Sequence, residues 1–162
     1  MDQEVVKKTT VLLNKTASAV GPACPKATLD IKENIKNRNW TIDNFGYGPL
    51  NPDMPDPGFW EKKADMWNTD VETAQTARCC NCAAFDQSDK ILGCIIEGIN
   101  ETGAADPMDV QVRADLGYCQ LFKFKCASAR TCDAWLYGGS IEGEWWQIKQ
   151  SNQGRKEPSV TY

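Results

Sequence analysis

"RCCNCAAF", residues 78–85, places three cysteines within four positions and closes on an aromatic residue. Adjacent cysteines such as Cys79 and Cys80 are poorly placed to bridge each other, because a disulfide needs a particular separation and torsion. Cys79 and Cys82 form a C-x-x-C pair, and one turn of chain aims both thiolates at a single metal or cluster. How this run is read decides whether the chain is organised around a metal centre or around disulfides.

The surrounding chain favours the metal. The opening stretch MDQEVVKKTTVLLNKTASAV is broken by Lys7, Lys8 and Asn14, so it lacks the continuous apolar segment of a signal peptide. The chain is therefore expected to fold in a cytoplasm, where thiols are kept reduced. Eight cysteines in 162 residues also fall below the density of short disulfide scaffolds. The absence of histidine removes imidazole as a ligand. An all-cysteine site remains, which means structural zinc or an iron–sulfur cluster.

Composition narrows the function classes. Hydrophobic residues at 41% and charged residues at 25% are ordinary for a globular chain. A net charge of −4 supplies no basic stripe, so neither nucleic acid nor an anionic membrane is an expected partner. No apolar run approaches the ~20 residues of a transmembrane helix. With no histidine, no nucleophile motif and no paired carboxylates at readable spacing, no enzyme is expected.

Three segments are expected. Residues 1–57 read as an N-terminal arm, with helices over Gln3–Val20 and Leu29–Asn37 followed by a Pro-rich extended stretch. Pro49, Pro52, Pro55 and Pro57 exclude helix and interior strand there. Phe45, Tyr47, Leu50 and Trp60 predict that this stretch lies along a surface. Residues 58–138 hold seven of the eight cysteines and read as the cluster domain. That domain opens with one helix over 58–78 and continues through a loop-rich stretch from Ala83 to Tyr118, with an insertion about 90–118. Residues 139–162 read as a C-terminal tail with one strand, Glu144–Lys149.

Twelve residues separate Cys119 from Cys132. The full pattern is C-x-x-C-x-x-F (Cys79, Cys82, Phe85), then G-x-C-x-L-F (Gly117, Cys119, Phe122), then C-x-A-W (Cys132, Trp135). It resembles the high-potential iron–sulfur protein family over about half the chain, from Trp60 to Gly139. The resemblance implies a small, irregular, loop-rich α+β domain around a 4Fe–4S cluster. It implies Cys79, Cys82, Cys119 and Cys132 as ligands and Phe85, Phe122 and Trp135 as aromatics around them. Three features depart from the family. Arg130–Thr131 stands where a Gly-aromatic pair is usual, Cys126 replaces an apolar residue, and the gap from Cys82 to Cys119 is long. That gap leaves Cys94, in "LGCII", as a rival to Cys119 for the third position.

The remaining cysteines take plain readings. Cys94 and Cys126 are expected to be buried small hydrophobes, and Cys80 to point away from the cluster. Cys24 is assigned no role. Family members are exported electron carriers, whereas this chain shows no export signal and carries arms on both sides. The combination resembles the iron–sulfur virion proteins of tailed phages. That resemblance implies a structural subunit of tail, baseplate or head, assembled in the host cytoplasm, with arms that strap onto neighbouring subunits. The cluster would then cross-link a core too small to hold itself. The alternatives are a cytoplasmic electron-transfer protein of the same family and a module stabilised by structural zinc.

Overall fold

The computed structural model describes residues 24–103 and 106–144. The helix expected over Gln3–Val20 lies outside these residues, as does the strand expected over Glu144–Lys149 beyond its first position.

Local chemistry sets each helix boundary. Helices α1 (Lys26–Leu29) and α2 (Ile31–Phe45) meet at Asp30, whose carboxylate accepts hydrogen bonds from the Lys32 and Glu33 amides. Gly46, with φ 56°, ends α2 in the left-handed conformation. The expected Leu29–Asn37 helix thus starts later and runs on to Phe45. The single helix expected over 58–78 is two. Helix α3 (Pro57–Trp67) ends at Asn68, with φ 53°, and Asp70 caps α4 (Val71–Thr76) by accepting from the Thr73 amide. Asparagine tolerates the left-handed turn and aspartate restarts the helix, so "NTD" breaks what apolar periodicity alone reads as continuous.

The stretch from Ala83 to Tyr118 corrects the expectation of loops. It contains β1 (Phe85–Gln87), α5 (Asp89–Thr102), α6 (Pro107–Ala114) and most of β2 (Leu116–Cys119). Ile91, Leu92 and Ile95 share one buried face of α5 and pack with Ala27 and Tyr118. Asp106 caps α6, with Pro107 at its first position. Strand β3 (Phe124–Ala127) follows β2 antiparallel, and β4 (Ile141–Glu142) pairs parallel with β1. The sheet order is β3-β2-β1-β4, with β1 and β2 antiparallel. The fold is therefore α+β: a four-stranded mixed sheet with several helices. No helix among the described residues is long and apolar enough to cross a membrane.

Two cysteines expected to act separately are joined. Cys24 and Cys94 form a disulfide, with Cα atoms 5.5 Å apart across 70 residues of sequence. Cys94 is buried as expected, but half of a bridge and so neither a free thiol nor a rival ligand; Cys24, to which no role was assigned, is its partner. The bridge ties the segment before α1 to α5, where Gly98 lets the two elements touch. A Cβ on Gly98 would sit 1.8 Å from the Thr28 carbonyl oxygen.

The surface on which residues 26–50 lie belongs to this same chain. Helix α2 packs along β3, and the Asn34 carboxamide accepts from the Lys125 amide at 2.7 Å. Gly48 and Thr131 exchange backbone hydrogen bonds of 3.0 and 2.7 Å.

Candidate metal centre

Four backbone devices bring the sequence-predicted cysteines together. The first is a 3-10 turn over Cys79–Asn81, closed by the Cys82 amide donating to the Cys79 carbonyl at 3.0 Å. Asn81 fixes this turn by accepting from the Arg78 amide and donating to the Thr76 carbonyl. The Trp135 indole N–H donates to both the Arg78 carbonyl and the Asn81 side chain at 3.0 Å. The second device is the β1/β2 register, which sets Phe85 opposite Cys119. Third is the tight β2–β3 turn, in which Lys123 (φ 58°) donates to the Cys119 carbonyl. Fourth is the pairing of Thr131 with Gly48, which delivers Cys132 to the same place.

Cys79, Cys82, Cys119 and Cys132 line one cavity together with Phe85, Phe122, Tyr47, Phe124, Ala84 and Cys126. About 290 Å³ there is not filled by protein atoms, part of it open to solvent. Phe85 and Phe124 are each 1% exposed and Cys82 8%, so most of this wall is dry. Gly117 is dictated by Phe85: a Cβ there would lie 2.5 Å from the Phe85 ring. Trp135 packs against the same apolar cluster but does not line the cavity. Its contribution is to hold the 79–82 turn.

Sequence reasoning did not place Tyr47 or Cys126 in the cavity wall. The Tyr47 ring meets Phe124 edge-on at 4.9 Å, and its hydroxyl accepts from the Ala127 amide at 3.0 Å. Burial pushes the Tyr47 hydroxyl well above its ordinary pKa, so it stays protonated. The only sequence signal was that an aromatic in a Pro-rich stretch wants a surface to lie on. Cys126 is a buried residue, as expected, and it lies in the cavity wall with Cys79. Cys80 is half-buried, donates its amide to the Ser128 carbonyl and is absent from the cavity wall.

Backbone amides donate to two of the four sulfurs. The Phe122 N–H lies 3.3 Å from the Cys119 sulfur, and the Leu136 N–H lies 3.4 Å from that of Cys82. Amide donors favour thiolate, yet at Cys119 and Cys132 burial outweighs them. It raises the Cys119 thiol and pushes Cys132 up to about 12.

The wall of Cys132 is anchored to α3. Lys63, almost fully buried, forms an ion pair with Asp133 and donates to the Gly46 carbonyl at 3.0 Å. The Trp67 indole N–H donates to the Asp133 carbonyl at 3.2 Å. Among the described residues, no group of three or more Cys, Asp or Glu side chains is arranged to hold a single metal ion. Comparison with protein-family models, with curated proteins and with solved structures finds no match.

Proposed function

We propose that this chain binds a 4Fe–4S cluster through Cys79, Cys82, Cys119 and Cys132, and that the cluster cross-links the fold of a structural subunit in a tailed-phage virion. The observation that carries the cluster reading is the convergence of these four cysteines on one apolar cavity, from a turn, a strand end and a loop far apart in sequence. The donor set is all sulfur, backbone amides donate to two of the four sulfurs, and aromatic residues line the walls. Such a cluster is held by four thiolates, and its potential depends on burial and on hydrogen bonds to sulfur. Structural zinc fits less well, because zinc needs its ligands gathered tetrahedrally around one ion and no such group exists among the described residues.

The wider role rests on resemblance and on one structural feature. Disulfides persist on virions and in other oxidising settings and are rare in a reduced cytosol. The Cys24–Cys94 bridge, remote in role from the cavity, therefore suits a particle that leaves the cell better than a resident cytoplasmic carrier. One observation favours electron transfer as a second reading. Phe122 in the cavity wall stacks on Phe45 at 4.6 Å, and Phe45 meets the half-exposed Trp40 at 5.7 Å. This aromatic run reaches from cavity to surface.

The test is anaerobic purification of the full chain. Brown protein with about four irons and four sulfides per chain is expected. Serine at Cys79, Cys82, Cys119 or Cys132 should abolish this, and serine at Cys80 should not. Colourless protein holding one zinc refutes the cluster. Detection of the chain in purified particles tests the virion role, and its absence there transfers the reading to electron transfer.

A further inference from the structure

The Cys24–Cys94 bridge joins two sulfurs of opposite surroundings. Cys94 lies on the buried side of α5 and is 0% exposed, whereas Cys24 is half-buried. The carboxylate of Glu97, an exposed residue of α5, lies 4.0 Å from the Cys24 sulfur. A small thiol or disulfide arriving from solvent therefore meets Cys24 first, and meets it beside a negative charge. What the bridge holds in place is small. Helix α1 has four residues, too few to persist by itself. It is seated by Ala27, which packs in one cluster with Ile91, Leu92 and Ile95, and by the Thr28 carbonyl against Gly98. Two backbone hydrogen bonds report on that seat. The Thr28 amide donates to the Pro25 carbonyl at 2.9 Å, and the Asp30 amide donates to the Lys26 carbonyl at 2.8 Å.

We propose that the bridge is a reversible redox latch on the seat of α1, with Cys24 as the entry sulfur and Cys94 as the buried partner that completes the exchange. Closing starts from two thiols and a low-molecular-weight disulfide, RSSR. The Cys24 thiolate attacks RSSR, which forms a mixed disulfide at Cys24 and releases one RS⁻. The Cys94 sulfur, having lost its proton to solvent, attacks the Cys24 sulfur, which forms the bridge and releases the second RS⁻. The two cysteines are oxidised, RSSR is reduced, and the two protons end on the released thiolates as two RSH. Opening runs the same steps backwards, with a thiolate attacking Cys24 and Cys94 leaving. The chain is thus unlatched where thiols prevail and latched where disulfides do. Neither cysteine lines the cavity, so the latch works whether or not a cluster is bound there.

The test equilibrates the full-length protein in glutathione buffers from fully reduced to fully oxidised and maps each cysteine by peptide mass after digestion. A Cys24–Cys94 peptide in the oxidised buffers and free thiols at both positions in the reduced ones are expected. A bridge closed in every buffer is a permanent staple and overturns the proposal, as does a bridge found in none. Cys94→Ser, which cannot complete the exchange, should hold glutathione at Cys24, whereas Cys24→Ser should leave Cys94 unmodified. No adduct at Cys24, or an adduct at Cys94, overturns the assignment of the entry sulfur. Glu97→Gln should speed opening by glutathione, itself an anion, and more so at low salt. An unchanged rate at low salt removes the carboxylate from the mechanism. Amide exchange reads the seat. On reduction the Thr28 and Asp30 amides should exchange faster, while the Lys125 amide, which donates to Asn34 between α2 and β3, keeps its protection. Equal protection of α1 in both states overturns the latch. Protection lost at Lys125 as well makes the bridge a staple of the whole fold and overturns it too.

Discussion

Removing the Cys24–Cys94 bridge separates its contribution from that of the proposed cluster. The disulfide spans 70 residues of sequence and closes a loop from the segment before α1 to the middle of α5. By the chain-entropy relation for a loop of that length, the bridge contributes about 4 kcal/mol by restricting the unfolded chain. With an m-value of about 2 kcal/mol per molar urea, that becomes a midpoint about 2 M lower when the bridge is absent. The perturbation is Cys24→Ser with Cys94→Ser, so that no unpaired thiol remains. The assay is anaerobic urea unfolding of variant and parent, with iron content measured on both. The expected result is a large loss of stability with unchanged iron, because neither residue lines the cavity. Iron lost from the variant would refute the assignment of ligands. An unchanged midpoint, together with two more titratable thiols in the non-reduced parent than in the variant, would refute the bridge.

Gly98→Ala gains about 1 kcal/mol of helix propensity in α5. It also drives a Cβ to 1.8 Å from the Thr28 carbonyl oxygen, a backbone atom that cannot swing aside, and overpacking costs about 1–3 kcal/mol. A net loss of about 1–2 kcal/mol is expected in thermal or urea unfolding, and a gain would show that α1 does not rest on α5. Lys63→Ala leaves Asp133 beside Cys132 without its buried partner, at a cost of roughly 3 kcal/mol. Lys63→Met with Asp133→Leu should recover much of that loss by the same unfolding measurement. Deleting residues 1–57 takes away Tyr47 from the cavity wall and Gly48 from its pairing with Thr131. The truncated protein should fail to retain iron after reconstitution, and a brown truncated protein would show that the wall closes without them.

Much of the candidate site was legible because its signals are local. A C-x-x-C pair needs only one turn to converge, and aromatics at fixed offsets from cysteines travel with the turns that carry them. The spacing alone pairs Cys79 with Cys82; Cys119, Cys132, Phe85 and Phe122 were what the family resemblance implied, and all six line the cavity. Trp135 was found by the same offset rule, but its indole N–H is spent on the Arg78 carbonyl and Asn81, so it supports the turn from outside. The α+β class came with the resemblance, whereas "KILGCIIEGI" was read as part of a loop-rich stretch although it forms most of a helix.

Tertiary structure alone decided the long-range pairings. Nothing in "GPACPKA" or "LGCII" says that Cys24 and Cys94 meet, because a disulfide depends on how α1 seats against α5. That seating depends in turn on the missing side chain of Gly98. Nor does any spacing reveal that Tyr47 closes a cavity built by residues 79–132, or that Cys126 lies in its wall with Cys79. Strand register sets the second, and the Gly48–Thr131 pairing sets the first. The chain by itself determines which residues can serve as ligands, because that is chemistry carried by the side chain. Which sulfurs share a cavity and which share a bond is decided by packing, where apolar burial and backbone hydrogen bonds act on residues the sequence keeps far apart.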